Sequence, residues 1–410
     1  MKSLIGDKKF YRMVLIVCIP IVIQNGFTNF ASLLDNIMIG QLGTLSMSGV
    51  SISNQLFQVF NVSVFGAMSG AGIFLAQFYG RGNRDGVHHC FRIKMLLGLL
   101  ISILAICIFK ILGPSLISLY LNDDPTDSMT TLNFGKQYMD VMLIGLIPFA
   151  ITQVFSSSLR ETGNTVLPMK ASVIAVIVNF CINYILIFGH FGFPKLGVIG
   201  AAIGTVVSRI VEMGINIAAG LNNNYLRDAM RLDKISGDIF KNVVKRGMPL
   251  LCNEILWSIS IALISQCYST RGLSAVAAIN VTTTVTNFFM IICYAMGNSI
   301  SIIVGQRLGA GEIEYAKDCD LKMVFMNFMM CLCIGVALFL CSSFIPQIYN
   351  TSIEVKSLAT SLLRVSACML PIISLYYSSY FTMRAGGKTL LTFFFDSGYT
   401  SCLRLWLRCV

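Results

Sequence analysis

Asp35 is the residue from which any chemistry in this chain has to start. It lies in the run MVLIVCIPIVIQNGFTNFASLLDNIMIG, Met13 to Gly40. That run is apolar and long enough to cross a bilayer, for which about 20 apolar residues suffice. A carboxylate deep in a spanning helix costs roughly 2.5–3.5 kcal/mol on insertion scales, so a functional role is its default reading. Gln24, Thr28, Ser32 and Asp35 recur at i, i+4, i+8 and i+11. This spacing gathers them on one helix face, turned toward protein or a water-filled cavity rather than lipid. Pro20 removes one backbone hydrogen bond and gives the helix a hinge. A titratable group on a bendable spanning helix is what an ion-coupled transporter needs. The plainer use of Asp35 is to cap a neighbouring helix or to bond to Asn36.

Other polar positions fall on later spans. Asn179 and Asn183 stand one turn apart on one face, where they either meet an ion or tie helices together. Glu254 shares a face with Ser258 and Ser265 near the start of its span. It either serves a cavity, snorkels to the interface or pairs with Arg246. Ser51, Asn54, Gln58 and Asn61 form a polar stripe, and Asn280, Thr284 and Asn287 form another. Each stripe lines a cavity or bridges packed helices. Gln24, Asn54, Gln58, Glu254, Asn280 and Asn287 are thus the candidates for a substrate cavity.

The elements that must position these residues are membrane helices. Of the 410 residues, 55% are hydrophobic and only 12% charged, against about 25% charged in a soluble protein. Ten apolar spans can be read, at 13–39, 46–76, 94–121, 137–158, 169–188, 197–219, 248–269, 275–304, 323–348 and 358–383, and an eleventh begins near Leu390. Every second loop is basic. The N-terminus has Lys8, Lys9 and Arg12, and later loops have Arg81, Arg84, Arg92 and Lys94, then Arg160 and Lys170, then Arg227, Arg231, Lys234, Lys241, Lys245 and Arg246. Arg307 and Lys317 follow, then Arg384 and Lys388, while an intervening loop is acidic (Asp123, Asp124, Asp127). By the positive-inside rule the N-terminus is cytoplasmic and the chain a multi-pass protein of the cell membrane. The net charge of +11 therefore sets orientation and does not indicate nucleic-acid binding. Of the 14 cysteines, Cys18, Cys107, Cys181, Cys293 and Cys331 lie inside apolar spans and read as buried thiols. The basic start continues into too long an apolar run for a cleavable signal peptide. Without HExxH, GxSxG or paired intramembrane aspartates, an enzyme is not expected.

An internal repeat organises the spans. A shift of 229 residues brings Pro20 onto Pro249, Gly43 onto Gly272, Phe60 onto Phe289, Gln77 onto Gln306, Gly80 onto Gly309 and Gly82 onto Gly311. A shift of 224 brings RETGNT (Arg160 to Thr165) onto RAGGKT (Arg384 to Thr389). Both copies begin on the same side, so they are parallel repeats about an axis along the membrane normal. The expectation is an all-α polytopic membrane protein of two six-helix lobes. The N-terminal lobe is 1–220, the cytoplasmic linker 221–246 and the C-terminal lobe 247–410. A second copy as long as the first would reach about residue 445. The ending SCLRLWLRCV places Arg404 and Arg408 where a span should continue. A truncated or frame-shifted end is expected, with helix eleven incomplete and helix twelve missing.

These residues resemble the multidrug and toxic compound extrusion (MATE) family. The pieces that carry the likeness are IPIVIQN (Ile19 to Asn25), LLDNIMIGQLG (Leu33 to Gly43), AQFYGRGN (Ala76 to Asn83) and SLRETGNTVLP (Ser158 to Pro168). NFCINYILIFG (Asn179 to Gly189), GAAIGT (Gly200 to Thr205) and RGMPLL (Arg246 to Leu251) complete it. The resemblance implies a twelve-helix fold in two lobes that exports cationic, amphipathic drugs in exchange for Na⁺ or H⁺. It implies no cofactor beyond that coupling ion, membrane lipid as surroundings and a monomer. It places the coupling site on Asp35, Asn179, Asn183 and Thr205. Many relatives have Asp where this chain has Asn183. Oxygens of Asp35, Asn179 and Asn183 would suit Na⁺, a hard cation, and protonation of Asp35 alone would serve equally. Some relatives carry acids in helices seven and ten; here helix seven has Glu254 and helix ten has none. The alternatives are a lipid-linked oligosaccharide flippase of the wider superfamily and an inactive truncated transporter.

Overall fold

A computed structural model describes residues 4–121, 125–230, 235–269, 273–349 and 351–398. Outside them lie Asp123, Asp124, Arg231, Lys234, Gly272, Arg404 and Arg408, together with the side chain of Ser265. Among the described residues the regular structure is all helical, with no strand. The long helices are α1 (Lys8–Gly40), α2 (Thr44–Gly80), α3 (Arg84–Ser118), α4 (Pro125–Met142), α5 (Leu146–Glu161), α6 (Val166–Phe188) and α7 (Val198–Leu221). They continue as α8 (Gly237–Ser269), α9 (Leu273–Gly309), α10 (Ile313–Cys341) and α11 (Ile353–Ala385), and the short α12 (Thr389–Phe393) follows. The fourth expected span is the pair α4 and α5, interrupted by a tighter 3-10 turn at Leu143–Gly145. Among the described residues nine helices, counting that pair as one, are long and apolar enough to cross a membrane. The chain is a multi-pass membrane protein.

Local sequence sets the helix ends. Asp7 accepts a bond from the Phe10 amide at 2.8 Å and starts α1. Asn83 accepts from Gly86 at 3.0 Å and starts α3. Between helices the turns need left-handed backbone, which glycine alone adopts without strain. The repeat is visible in these turns. Gly82 and its partner Gly311 have φ of 71° and 81°, and Gly163 and its partner Gly387 have 84° and 72°.

The contacts divide the chain into two compact units, and the division is not that of the two sequence halves. One unit takes the chain up to Val22, Ala76–Gly82, and the chain from Cys252 onward. The other takes Ile23–Leu75 and Asn83–Leu251. In the first, Phe10, Val14, Cys18 and Ile21 of α1 pack with Met296 and Ile300 of α9, Met323 of α10 and Phe381 of α11. There Gln77 Nε2 donates to the Ala385 carbonyl at 2.9 Å, and Arg81 Nε to that of Gly309 at 3.2 Å. In the second unit the start of α8 is seated on α2 and α3, through Val243 against Ala71 and Ile93. Gly70 lies so close to Gly247 that a Cβ there would overlap its Cα. Small residues permit such close crossings where lipid offers no hydrophobic drive. Pro20 and Pro249, the repeat-related prolines, each lie two residues before a point where the chain passes between units.

Two of the five cysteines read as buried are not. Cys18, Cys293 and Cys331 are buried, but Cys107 and Cys181 are exposed. Cys107 shares α3 with Leu100, Ile103, Leu104 and Ile111, all outward-facing. Lipid tails are as apolar as a core, so an apolar span does not fix which side chains are enclosed.

Candidate functional site

The second unit brings the expected coupling residues together. Asp35 comes from α1, Asn179 and Asn183 from α6 and Thr205 from α7. Asn183 Nδ2 donates to Asp35 Oδ1 at 2.6 Å and to Asn179 Oδ1 at 3.3 Å. Asn179 Nδ2 donates to Thr205 Oγ1 at 3.4 Å, and Thr205 donates to the Ala201 carbonyl at 3.1 Å. Asp35 is therefore neither a helix cap nor a partner of Asn36 in these bonds. Asn183 is fully buried, and its Oδ1 has no hydrogen-bond partner. A buried acceptor left unmet costs about 1–3 kcal/mol, so this oxygen has a use for a cation or a proton donor. Gly204 makes the room, because a Cβ there would overlap Asn183 Oδ1. Nearby, the buried Tyr138 of α4 donates to Asn54 Oδ1 at 3.3 Å. A carboxylate, two amide oxygens and a hydroxyl from three helices can hold a hard cation or a proton.

The rest of the α1 stripe separates into two kinds. Thr28 and Ser32 turn their hydroxyls to their own helix backbone, at 2.9 and 3.2 Å. Gln24 instead reaches across, donating to Ser172 Oγ of α6 at 2.8 Å, and Ser172 donates to Glu212 Oε1 of α7 at 2.5 Å. Arg209, one turn from Glu212, donates to the Gly145 carbonyl at 3.5 Å and lies over the Phe149 ring at 4.9 Å. Further along, the fully buried Lys94 of α3 pairs with Glu161 of α5 at 2.5 Å and donates to Ser157 at 3.0 Å. Gly72 leaves the space that Glu161 fills. Spacing and motif do not single out Glu161 or Glu212, and Lys94, read from the sequence as part of a basic loop, is instead buried inside α3. For Glu212 a signal is nevertheless present, since it is a lone acid inside the span 197–219.

The remaining candidates stand elsewhere. Asn54, Gln58, Asn280 and Asn287 are exposed on their helices, and of these Asn54 also bridges to α4 through Tyr138. Glu254 neither snorkels nor pairs with Arg246, which stacks on Phe74 at 5.4 Å. It accepts from the buried Arg384 at 3.4 Å and from Tyr380 at 3.2 Å. Next to it, Asn253 Nδ2 donates to Asp396 Oδ2 at 2.6 Å, and Tyr376 donates to Asp396 Oδ1. Asp396, which follows α12, thus brings a second carboxylate into the surroundings of Glu254.

Comparisons with known proteins identify the family and the fold. The MatE family profile matches residues 20–185 and 249–399. The chain is 26% identical over 379 residues to a probable multidrug resistance protein NorM of Thermotoga maritima, covering 91% of this chain and 80% of that protein. It is 23% identical over 392 residues to the probable multidrug resistance protein YoeA of Bacillus subtilis, covering 93% and 82%. Among solved structures, a MATE transporter of Vibrio cholerae superposes with a TM-score of 0.84 at 18% identity, over 94% of this chain and 86% of that one. The last likeness is one of fold.

Proposed function

This chain belongs to the MatE family, and from that premise we propose that it is a multidrug efflux transporter that exports cationic, amphipathic compounds in exchange for H⁺ or Na⁺. It is a transporter and not an enzyme. The observation that carries the reading is the bond of Asp35 to Asn183 beside the unmet Asn183 oxygen. A coupling ion entering there neutralises the one carboxylate of the site and changes what Asn183 and Asn179 bond to. α1 then responds at Pro20. Drug and ion need not touch, since each need only favour a different conformation, and the coupling is reciprocal. Gln24, Asn54 and Gln58 in one unit, and separately Glu254, Asn280 and Asn287 in the other, are the candidates for polar contacts with the drug. The basic loops hold the N-terminus in the cytoplasm, and the protein works as a monomer in lipid.

The flippase alternative needs free cations to hold pyrophosphate. Few basic residues lie within the spans. Lys94 and Arg384 are each paired with an acid, Glu161 and Glu254, and Arg209 donates to the Gly145 carbonyl and lies over the Phe149 ring, which favours the drug-export reading. The test is efflux of ethidium from cells expressing the chain or its Asp35→Asn variant, with the sodium and proton gradients collapsed separately. The expected result is export by the parent and a loss of about tenfold or more in the variant, within the usual 5–150-fold range of site coupling. The gradient whose collapse stops efflux identifies the ion. Unchanged export by the variant overturns the role of Asp35.

A further inference from the structure

Two polar rungs join α1 to α6. Gln24 meets Ser172 and Asp35 meets Asn183, each at the same sequence separation of 148. The helices therefore run side by side in register, and the rungs lie about 16 Å apart at 1.5 Å per residue. α7 crosses both in the opposite direction, with Thr205 at the Asp35 rung and Glu212 at the Gln24 rung. The lower rung thus carries its own carboxylate, which the coupling reading above does not use.

Its hydrogen bonds have a polarity. An ionised carboxylate only accepts, whereas a hydroxyl both donates and accepts. Gln24 Nε2 donates to Ser172, and Ser172 donates to Glu212. Gln24 Oε1 is buried with no hydrogen-bond partner. With a proton on Glu212, the acid O–H donates to Ser172. The serine hydrogen then turns to Gln24, and the amide must present Oε1, the atom now unmet. One proton on α7 thus reverses every donor in the row and reorients a side chain on α1, one turn past Pro20. The charged groups facing Glu212 are Arg209 on its own helix and Arg160 at the end of α5. Arg209 is shared with Asp35, and Arg160 with Glu161, the partner of Lys94.

The geometry points to Glu212 as a second proton-exchanging carboxylate of this unit, a positioning residue whose charge state reaches the α1 hinge through Ser172 and Gln24. The inference rests on the coupled-export reading. The proton is taken from water, an O–H bond forms on Glu212, and the proton returns to water when that bond breaks. No other covalent bond changes.

The test uses the full chain. In lightly buffered detergent, ethidium is added to the parent and to Glu212→Gln, and the protons released per ethidium bound are measured. The amide variant keeps a bonding partner for Ser172, and ethidium binding itself reports that it is folded. Should it not bind, Glu212→Asp retains a shorter carboxylate and is expected to shift the pH dependence of release. In proteoliposomes, Ser172→Ala and Ser172→Thr are compared for gradient-driven ethidium transport across a pH series. The expected results are fewer protons released by Glu212→Gln, transport reduced about fivefold or more by Ser172→Ala, and recovery in Ser172→Thr. Undiminished proton release by Glu212→Gln, or parental transport with a parental pH profile in Ser172→Ala, overturns the inference. Failure of the coupling reading shows separately, as undiminished transport by Asp35→Asn.

Discussion

At the scale of residues, the coupling site is a packing problem as much as a charge problem. Asn183 can reach Asp35 because Gly204 beside it carries no side chain. Gly204→Ala forces Asn183 or α7 to move, and overpacking of this kind costs about 1–3 kcal/mol. The expected outcome is a lower melting temperature in detergent and severalfold weaker ethidium efflux. Gly214→Ala is the control, because a Cβ at that position of the same helix meets nothing within 4 Å. Equal behaviour of the two alanines would show that the Asn183 contact does not matter. Asp35, Asn179, Asn183 and Thr205 are legible in the sequence, the first from its cost in a membrane and the others by likeness of motif. Glu161 and Lys94 are not, since they pair with each other across helices and a linear pattern does not display such pairing. Glu212 shows in the sequence only as a lone acid within its span. Asp396 is hidden in the same way, since its partners Asn253 and Tyr376 are far away in sequence.

At the scale of elements, the periodicity locates the spans well, because an apolar run of that length has few alternatives. It locates their ends less well, since α2 and α9 run on to Gly80 and Gly309, past the edges expected at 76 and 304. What stops them is turn chemistry at Gly82 and Gly311, not hydropathy. The helix that the proposed mechanism bends is α1, and Pro20 is its weak point. Within a helix, proline costs about 3 kcal/mol relative to alanine in a soluble host. Pro20→Ala is therefore expected to raise thermal stability and slow ethidium transport, leaving ethidium binding in place. Pro249→Ala in α8 is expected to act in the same direction, because its repeat position is the same. Faster transport by either variant would remove the hinge from the mechanism.

At the scale of the whole molecule, composition alone identifies a membrane protein, and the repeat identifies equivalent positions. Equivalence does not say which half a segment packs against, so the division into units is not legible in the sequence. The opening of α1 is buried among α9, α10 and α11, and the opening of α8 against α2 and α3. This exchange has a consequence for biosynthesis. Phe10 leaves the ribosome long before Phe381, its eventual neighbour. At 5–20 residues per second the delay is roughly 20–70 seconds. During that interval the turns of α1 before Pro20 lack their partners, and Ala71 and Ile93 wait for Val243. Residues 1–236 expressed alone should then be cleared faster in a pulse-chase than the whole chain, and co-expression of 237–410 should protect them. Equal lifetimes would mean that the first half matures independently. Otherwise a membrane-embedded chaperone, or slow translation near the linker, has a specific span to guard: the turns of α1 before Pro20.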